Sequence, residues 1–85
     1  MRMTFIEKVH LLERMDQLIR LKSTGTPTEL AEKLNVSRST IYEIIDCLKF
    51  LGAEIDYSRT KRSFCYSCNM KFKIGFSHEK QTSHE

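Results

Sequence analysis

Two short amphipathic segments, separated by only three residues, constrain the fold of this chain more than any other feature. The first segment, TPTELAEKL, opens with a capping box that runs from Thr26 to Glu29 and has proline at the first helical position. The sequence Asn35-Val36-Ser37 interrupts the pattern, and Ser37 is a suitable cap for the next segment. The spacing predicts a helix of about eight residues, a tight turn, and a further helix over about residues 38–51.

The helix predicted after the turn has one apolar and one polar face. At 100° per residue its apolar side comprises Ile41, Ile44, Ile45, Leu48 and Leu51. Its outer side comprises Arg38, Ser39, Tyr42, Glu43, Asp46 and Lys49. Ala31 allows the two helices to approach closely, and Asn35 occupies a turn position that favours positive φ. These features together are typical of a helix-turn-helix unit.

A longer helix is predicted before this unit. Thr4 to Glu7 has the form of a second capping box, and Gly25 is a suitable stop signal, so we expect a helix over about residues 5–22. Its apolar stripe comprises Phe5, Val9, Leu12 and Ile19, widened by Leu11, Met15 and Leu18.

The period changes after Gly52. Residues 53–57 alternate between apolar and acidic side chains, which predicts a strand, and residues 58–61 suit the tip of a hairpin. Residues 64–66 are expected to return as the second strand, and residues 70–74 to form a third short extended segment. The order predicts a mostly α-helical fold, in which three helices are followed by a small β-hairpin. Residues 1–76 form the predicted domain, and residues 77–85 a polar, disordered tail.

The segment TPTELAEKLNVSRSTIYEIIDCLKFLGAEIDYSRTKRSFCY resembles the winged-helix DNA-binding domains at the N-termini of bacterial DeoR-type and WYL-domain regulators. It is also similar to the DNA-binding domain of the biotin repressor, of the type 11 helix-turn-helix class. The resemblance covers about residues 5–67, and its most specific parts are the Leu51-Gly52 step and the aromatic return strand at residues 64–66. Asn35 stands where the family often has glycine. The ligand-sensing domain of those regulators has no counterpart in this sequence, so the resemblance does not extend to sensing.

The resemblance implies a winged helix-turn-helix fold with three helices and a wing. It also implies that the third helix enters the major groove of double-stranded DNA and that the wing contacts phosphates. On this interpretation Arg38 contacts guanine or a phosphate, Glu43 accepts from cytosine, and Thr28 lies at a helix terminus that faces a phosphate. The full set of candidate DNA-binding residues is Thr28, Ser37, Arg38, Ser39, Thr40, Tyr42, Glu43, Arg59, Lys61 and Arg62.

Charge and composition agree with a small DNA-binding regulator. The 85 residues have a net charge of +3, and residues 53–76 contain five basic side chains against two acidic ones. Apolar runs of two or three residues predict no membrane span, and the first residues have no signal-peptide core, so we expect a cytoplasmic protein. The sequence contains no nucleophilic triad, carboxylate pair or phosphate-binding loop, which predicts a protein without enzymatic activity or cofactor.

Two alternatives remain open at the level of sequence. The polar face of the third helix is electrically neutral, because Glu43 and Asp46 balance its two basic residues, and this favours a protein-interaction module without DNA binding. The spacing of Cys65 and Cys68 also fits half of a zinc site, which His78 and His84 would complete. The spacing from Cys68 to His78 is wrong for the common zinc finger, and strand geometry would direct the two thiols to opposite faces. We therefore favour reduced, structural cysteines and no metal.

A single module of this size has little surface with which to contact DNA, so a homodimer is expected. The broad apolar stripe of the first helix and residues 70–76 are the candidate interface. A separate sensor protein is a further candidate partner.

Overall fold

The computed structural model describes residues 3–76 of the 85-residue chain. It contains three helices followed by a hairpin, and thereby confirms the predicted winged helix-turn-helix. The elements are α1 (Phe5–Arg20), α2 (Pro27–Leu34), α3 (Arg38–Phe50), β1 (Ile55–Ser58) and β2 (Ser63–Tyr66). Within the described range, none of the helices has the length and apolar character that a membrane crossing requires. The predicted tail, residues 77–85, lies outside the described residues.

Both predicted capping boxes are present. The Glu7 backbone N–H donates to Thr4 Oγ1 at 3.1 Å, and the Thr4 N–H donates to the Glu7 carboxylate at 2.9 Å. The same pair of bonds joins Thr26 and Glu29 at the start of α2. These local bonds satisfy N–H groups that have no partner within the helix, which explains why the helix starts were predictable from the sequence.

The predicted end of α1 is wrong by two residues. The helix ends at Arg20, because Leu21 caps it and Lys22 takes the left-handed conformation at φ 55°. Gly25, the expected stop, instead allows the loop to approach α2. A Cβ at Gly25 would lie 2.6 Å from a carboxylate oxygen of Glu29, and its φ of +75° is unfavourable for other residues.

The turn between α2 and α3 has the predicted conformation. Asn35 caps α2 at φ 58°, and the Val36 N–H donates to the Ala31 carbonyl at 2.9 Å. Ser37 caps α3 by accepting from the Thr40 N–H at 3.1 Å. Because the turn is short and both ends are capped, the direction of α3 relative to α2 is fixed by local bonds.

The core lies where the three helices meet the base of the hairpin. Its buried apolar residues are Leu11, Leu12, Met15, Ile19, Leu30, Ala31, Leu34, Ile41, Ile44, Ile45, Leu48, Ile55 and Phe64. The predicted stripe of α1 is wrong at its start, since Phe5 is exposed and burial on this helix begins at Leu11. Leu51, predicted on the apolar face of α3, is also exposed because the helix ends one residue before it.

The hairpin is antiparallel, with Ile55 opposite Tyr66 and Ser58 opposite Ser63, and its turn spans residues 59–62. Residues 67–76, which include the predicted third extended segment, form no strand. The last ladder bond runs from the Ser67 N–H to the Glu54 carbonyl at 2.8 Å. Beyond it, the Glu54 N–H donates to Met70 Sδ at 3.3 Å, and the Phe72 N–H donates to a carboxylate of α1. Side chains thus take the backbone partners that a third strand would have used.

Two buried polar contacts join the hairpin to the helices. Thr24, in the loop after α1, accepts from the Phe64 N–H at 2.9 Å, and its own N–H donates to Ser63 Oγ at 3.1 Å. The Asp16 carboxylate, 2% exposed, accepts from the Tyr66 hydroxyl at 2.6 Å, from the Phe72 N–H at 2.9 Å and from Arg20 Nε at 2.9 Å. These contacts fix the wing relative to the helices.

The Tyr66 contact predicts a pH-dependent stability. Burial raises the pKa of the Tyr66 hydroxyl, and the hydrogen bond to the Asp16 carboxylate raises it further. An unfolded tyrosine loses its proton near pH 10, so above that pH the unfolded state binds fewer protons and the free energy of unfolding falls. We expect Tyr66→Phe to be less stable than wild type by about 1 kcal/mol at pH 8, with the difference shrinking above pH 10. Urea unfolding at pH 8 and above pH 10 measures the difference in the free energy of unfolding between the two proteins, and Tyr57→Phe is the control.

Candidate nucleic-acid interface

The outer face of α3 presents polar side chains to solvent. Ile41, Ile44, Ile45 and Leu48 are buried, so the opposite side of the helix is exposed along its length. Arg38, Ser39 and Glu43 are exposed there, and Tyr42 retains nearly half of its surface. The structure therefore brings four candidate residues to one convex face at the N-terminal half of the helix. A helix of this kind fits the major groove of B-form DNA.

Ser37 and Thr40 are engaged within the helix start. Ser37 Oγ accepts from the Thr40 N–H and also lies 3.0 Å from Thr40 Oγ1. Thr40 is half-buried, whereas Ser37 is exposed. In this arrangement the two hydroxyls hold the first turn of α3, and Ser37 is the more accessible of the two for a phosphate.

The wing tip gathers three basic side chains within four positions. Arg59, Lys61 and Arg62 are all exposed in the turn between β1 and β2. The Lys61 N–H donates to Ser58 Oγ at 3.2 Å, and Arg62 has a left-handed φ of 52°. The hydrogen bond to Ser58 and the left-handed conformation of Arg62 define the shape of this turn. The three positive charges therefore lie at the end of the hairpin.

The start of α2 lies near the wing tip. The Thr26 N–H lowers the pKa of the Glu29 carboxyl, and the charges of Arg62 and Lys33 act in the same direction. Arg62 is therefore close enough to α2 to interact with its first turn. Thr28 is exposed beside this site, but the Glu29 carboxylate already accepts from the Thr26 N–H at 2.8 Å. A phosphate bound at the start of α2 would therefore lie next to the negatively charged Glu29 carboxylate.

The cysteines do not assemble with other ligands in the described structure. Cys65 is half-buried on β2, and its thiol lies 3.6 Å from the Ser63 carbonyl, whereas Cys68 is exposed. Among residues 3–76 no group of three or more histidine, cysteine, aspartate or glutamate side chains is arranged to hold a metal ion. His78 and His84, the other members of the alternative metal site, lie outside the described residues.

Sequence reasoning missed the residues that position the wing. Among the described residues, the side chains of Asp16, Thr24 and Ser63 form no hydrogen bond to a predicted DNA-binding residue, yet they connect β2 to α1 and to the loop before α2. A signal for Asp16 existed, since it lies at the edge of the apolar stripe formed by Leu12 and Ile19. A charged residue at that position predicts either a break in the stripe or a buried polar contact.

Comparison with known proteins gives one match. A family model described as an HTH domain matches residues 11–61, from the middle of α1 to the tip of the wing. No curated protein matches this chain, and no solved structure does.

Proposed function

Because this chain belongs to the HTH domain family, a DNA-binding and non-enzymatic family, we propose that it is a sequence-specific transcriptional regulator of double-stranded DNA. The observation that most strongly supports this proposal is the outer face of α3. Its N-terminal half exposes Arg38, Ser39 and Tyr42 while the opposite side is fixed in the core. Side chains of these types form hydrogen bonds to base edges in the major groove.

In the proposed complex, α3 supplies sequence selection and the wing supplies affinity. Arg38 donates two hydrogen bonds to a guanine, and Glu43 accepts from a cytosine amine. Arg59, Lys61 and Arg62 neutralise phosphates of the neighbouring groove, while Thr28 and Ser37 contact phosphates at the helix starts. Thr40 supports this set through its bond to Ser37.

The wider role follows the same proposal. We place the protein in the cytoplasm as a repressor or accessory regulator that acts as a homodimer. A separate sensor protein supplies any effector response. Residues 1–76 form the DNA-binding domain in this proposal, and residues 77–85 a polar tail.

Replacement of Arg38 by alanine tests the proposed base contact. We expect a loss of about 1–3 kcal/mol on the preferred sequence and a relaxed preference at one base pair. Binding of fluorescent duplexes that differ at single positions measures both effects. Lys49→Ala is the matched control, because Lys49 is exposed on the same face at the other end of α3. Equal losses for Arg38→Ala on every duplex would make Arg38 a phosphate contact instead.

Selection from a randomised duplex pool, repeated at several salt concentrations, tests the function itself. An enriched two-fold motif with affinity that falls steeply with salt is the expected result. Binding without enrichment would indicate a DNA-binding protein without sequence selection. Absence of binding at low salt would favour a protein-interaction module, for which the exposed acids Glu43 and Asp46 of α3 are the supporting feature.

A further inference from the structure

An apolar groove lies between the end of α3 and the segment that follows the hairpin. It encloses about 360 Å³, and its apolar lining comprises Leu48, Leu51, Ala53, Met70, Phe72 and Ile74. The Phe72 N–H bond to Asp16 holds one wall of the groove, and the bond from the Glu54 N–H to Met70 Sδ holds another part of it. The groove is therefore formed by ordered contacts within the described residues.

Large apolar side chains at and near the groove are exposed. Leu51 and Ile74 line the groove and are exposed, and Phe76, two residues after Ile74, is fully exposed. Three of the eight large apolar residues that are exposed between residues 3 and 76 thus lie in or beside this feature. We call Leu51, Ile74 and Phe76, together with the groove, the groove surface. An exposed apolar patch with a polar rim is typical of an interaction site.

The groove lies away from the proposed DNA-binding face. At 100° per residue, Leu51 and Tyr42 lie on opposite sides of α3. Leu48 is buried on the side where Leu51 lies. A molecule that occupied the groove would leave Arg38, Ser39 and Tyr42 accessible. Occupation of the groove and binding of DNA are therefore compatible.

We propose that the groove surface binds a second copy of this chain in a two-fold contact. In such a contact the same surface on each copy meets its equivalent, so both recognition helices remain on the outside of the pair. Two copies related by a two-fold axis would contact two half-sites of a palindromic duplex. Only this last consequence rests on the proposed function, since the pairing itself requires no DNA.

The exposed area agrees with the size of a stable dimer interface. Leu51, Ile74 and Phe76 present on the order of 400 Å² of apolar surface, because one exposed phenylalanine alone presents about 200 Å². The partly exposed Met70 and Phe72 of the groove add to this area. A standard interface removes about 800 Å² from each partner, of which roughly 65% is apolar in homodimers, or about 500 Å². The groove surface therefore supplies most of the apolar area that one such interface needs.

The lysines of the groove predict how the pair responds to salt. Lys71 and Lys73 line it, and both are exposed. Their aliphatic stems extend the apolar surface, while their ammonium groups remain in water at the rim. Two copies bring like charges together, so salt is expected to strengthen the pair by screening them, whereas it weakens binding to phosphates. This opposite sign separates self-association from any association through contaminating nucleic acid.

Sedimentation of the full chain without DNA tests the proposal through two matched variants. Leu51 in the groove surface and Ile6 on α1 are 58% and 59% exposed, so glutamate at either position costs little folding stability. We expect wild type and Ile6→Glu to be dimers at about 200 µM, and Leu51→Glu to dissociate at least about tenfold more readily. Phe76→Glu, at a fully exposed position, is expected to behave like Leu51→Glu, and circular dichroism verifies that each variant is folded.

Three results would overturn the proposal. The first is a monomeric wild type at that concentration, and the second is equal weakening by Ile6→Glu and Leu51→Glu. The third is dissociation by Ile6→Glu alone, which would assign the interface to the first turn of α1. A dimer that dissociates in Leu51→Glu but binds no DNA would support the groove surface while contradicting the proposed function, so the two failures are distinguishable.

Discussion

Replacement of Asp16 by alanine is expected to lower the free energy of unfolding by about 3–5 kcal/mol through the loss of its hydrogen bonds, a large part of the total stability of a domain this small. The carboxylate is almost fully buried and accepts from three donors on different parts of the chain. Its removal leaves the Phe72 N–H without a partner in a partly buried site and breaks the bond of the Tyr66 hydroxyl. An unsatisfied buried donor costs more than the net contribution of the bond it has lost.

Chemical unfolding followed by circular dichroism measures this effect. Glu13→Ala is the matched control, because it removes an exposed carboxylate from the same helix and is expected to change stability by less than about 0.5 kcal/mol. Arg20→Ala is expected to cost about 1.5–3 kcal/mol, less than Asp16→Ala, because it removes one bond to the buried carboxylate while the bonds from the Tyr66 hydroxyl and the Phe72 N–H remain. A cost below 1 kcal/mol for Asp16→Ala would mean that water replaces the carboxylate and that the contact does not fix the wing.

The helix-turn-helix unit was predictable because its determinants are local. The capping boxes, the left-handed Asn35 and the Ser37 cap each involve residues no more than four positions apart. Both α2 and α3 begin at the predicted residues, since a cap and an apolar period act together at each start. The outer face of α3 was predictable for the same reason, because burial of one side determines the other.

The contacts that fix the wing were not predictable, since they join distant parts of the chain. Asp16 bonds to residues 50 and 56 positions away, and Thr24 bonds to residues 39 and 40 positions away. Period and propensity contain no information about such pairs. The absence of a third strand after β2 has the same origin, because the alternating side chains of residues 70–74 favour an extended form, while Asp16 and Met70 accept from backbone N–H groups that a strand would need.

The position of Arg62 is a further long-range result. The sequence places it in a basic hairpin tip, whereas the fold brings it near Glu29 at the start of α2. The bond between the Thr24 N–H and Ser63 Oγ, next to Arg62, likewise brings this end of the hairpin close to the loop before α2. This arrangement connects the Asp16 and Thr24 contacts to DNA binding, since a displaced wing would separate Arg62 from the helix starts.

Simultaneous replacement of Arg59, Lys61 and Arg62 by glutamine is expected to weaken DNA binding roughly 100-fold at about 0.15 M salt. Each phosphate contact releases about one counterion, so loss of three contacts lowers the slope of log K against log salt by about three units. The loss should be similar on every duplex, because phosphates are the same in all sequences. All three side chains are exposed in the turn, so the variant is expected to fold normally.

Titrations of a fixed duplex from low to moderate salt measure the slope for each protein. A second triple variant, with glutamine at Lys8, Arg14 and Lys22, removes the same charge from exposed positions outside the wing and the groove surface. It separates direct contact from overall charge, because a general effect of net charge would change both slopes equally. An unchanged slope in the wing variant would remove the wing from the interface and assign the affinity to α3 and the helix starts. A slope reduced only in the wing variant, with the sequence preference unchanged, would support the proposal that the wing supplies affinity and α3 supplies sequence selection.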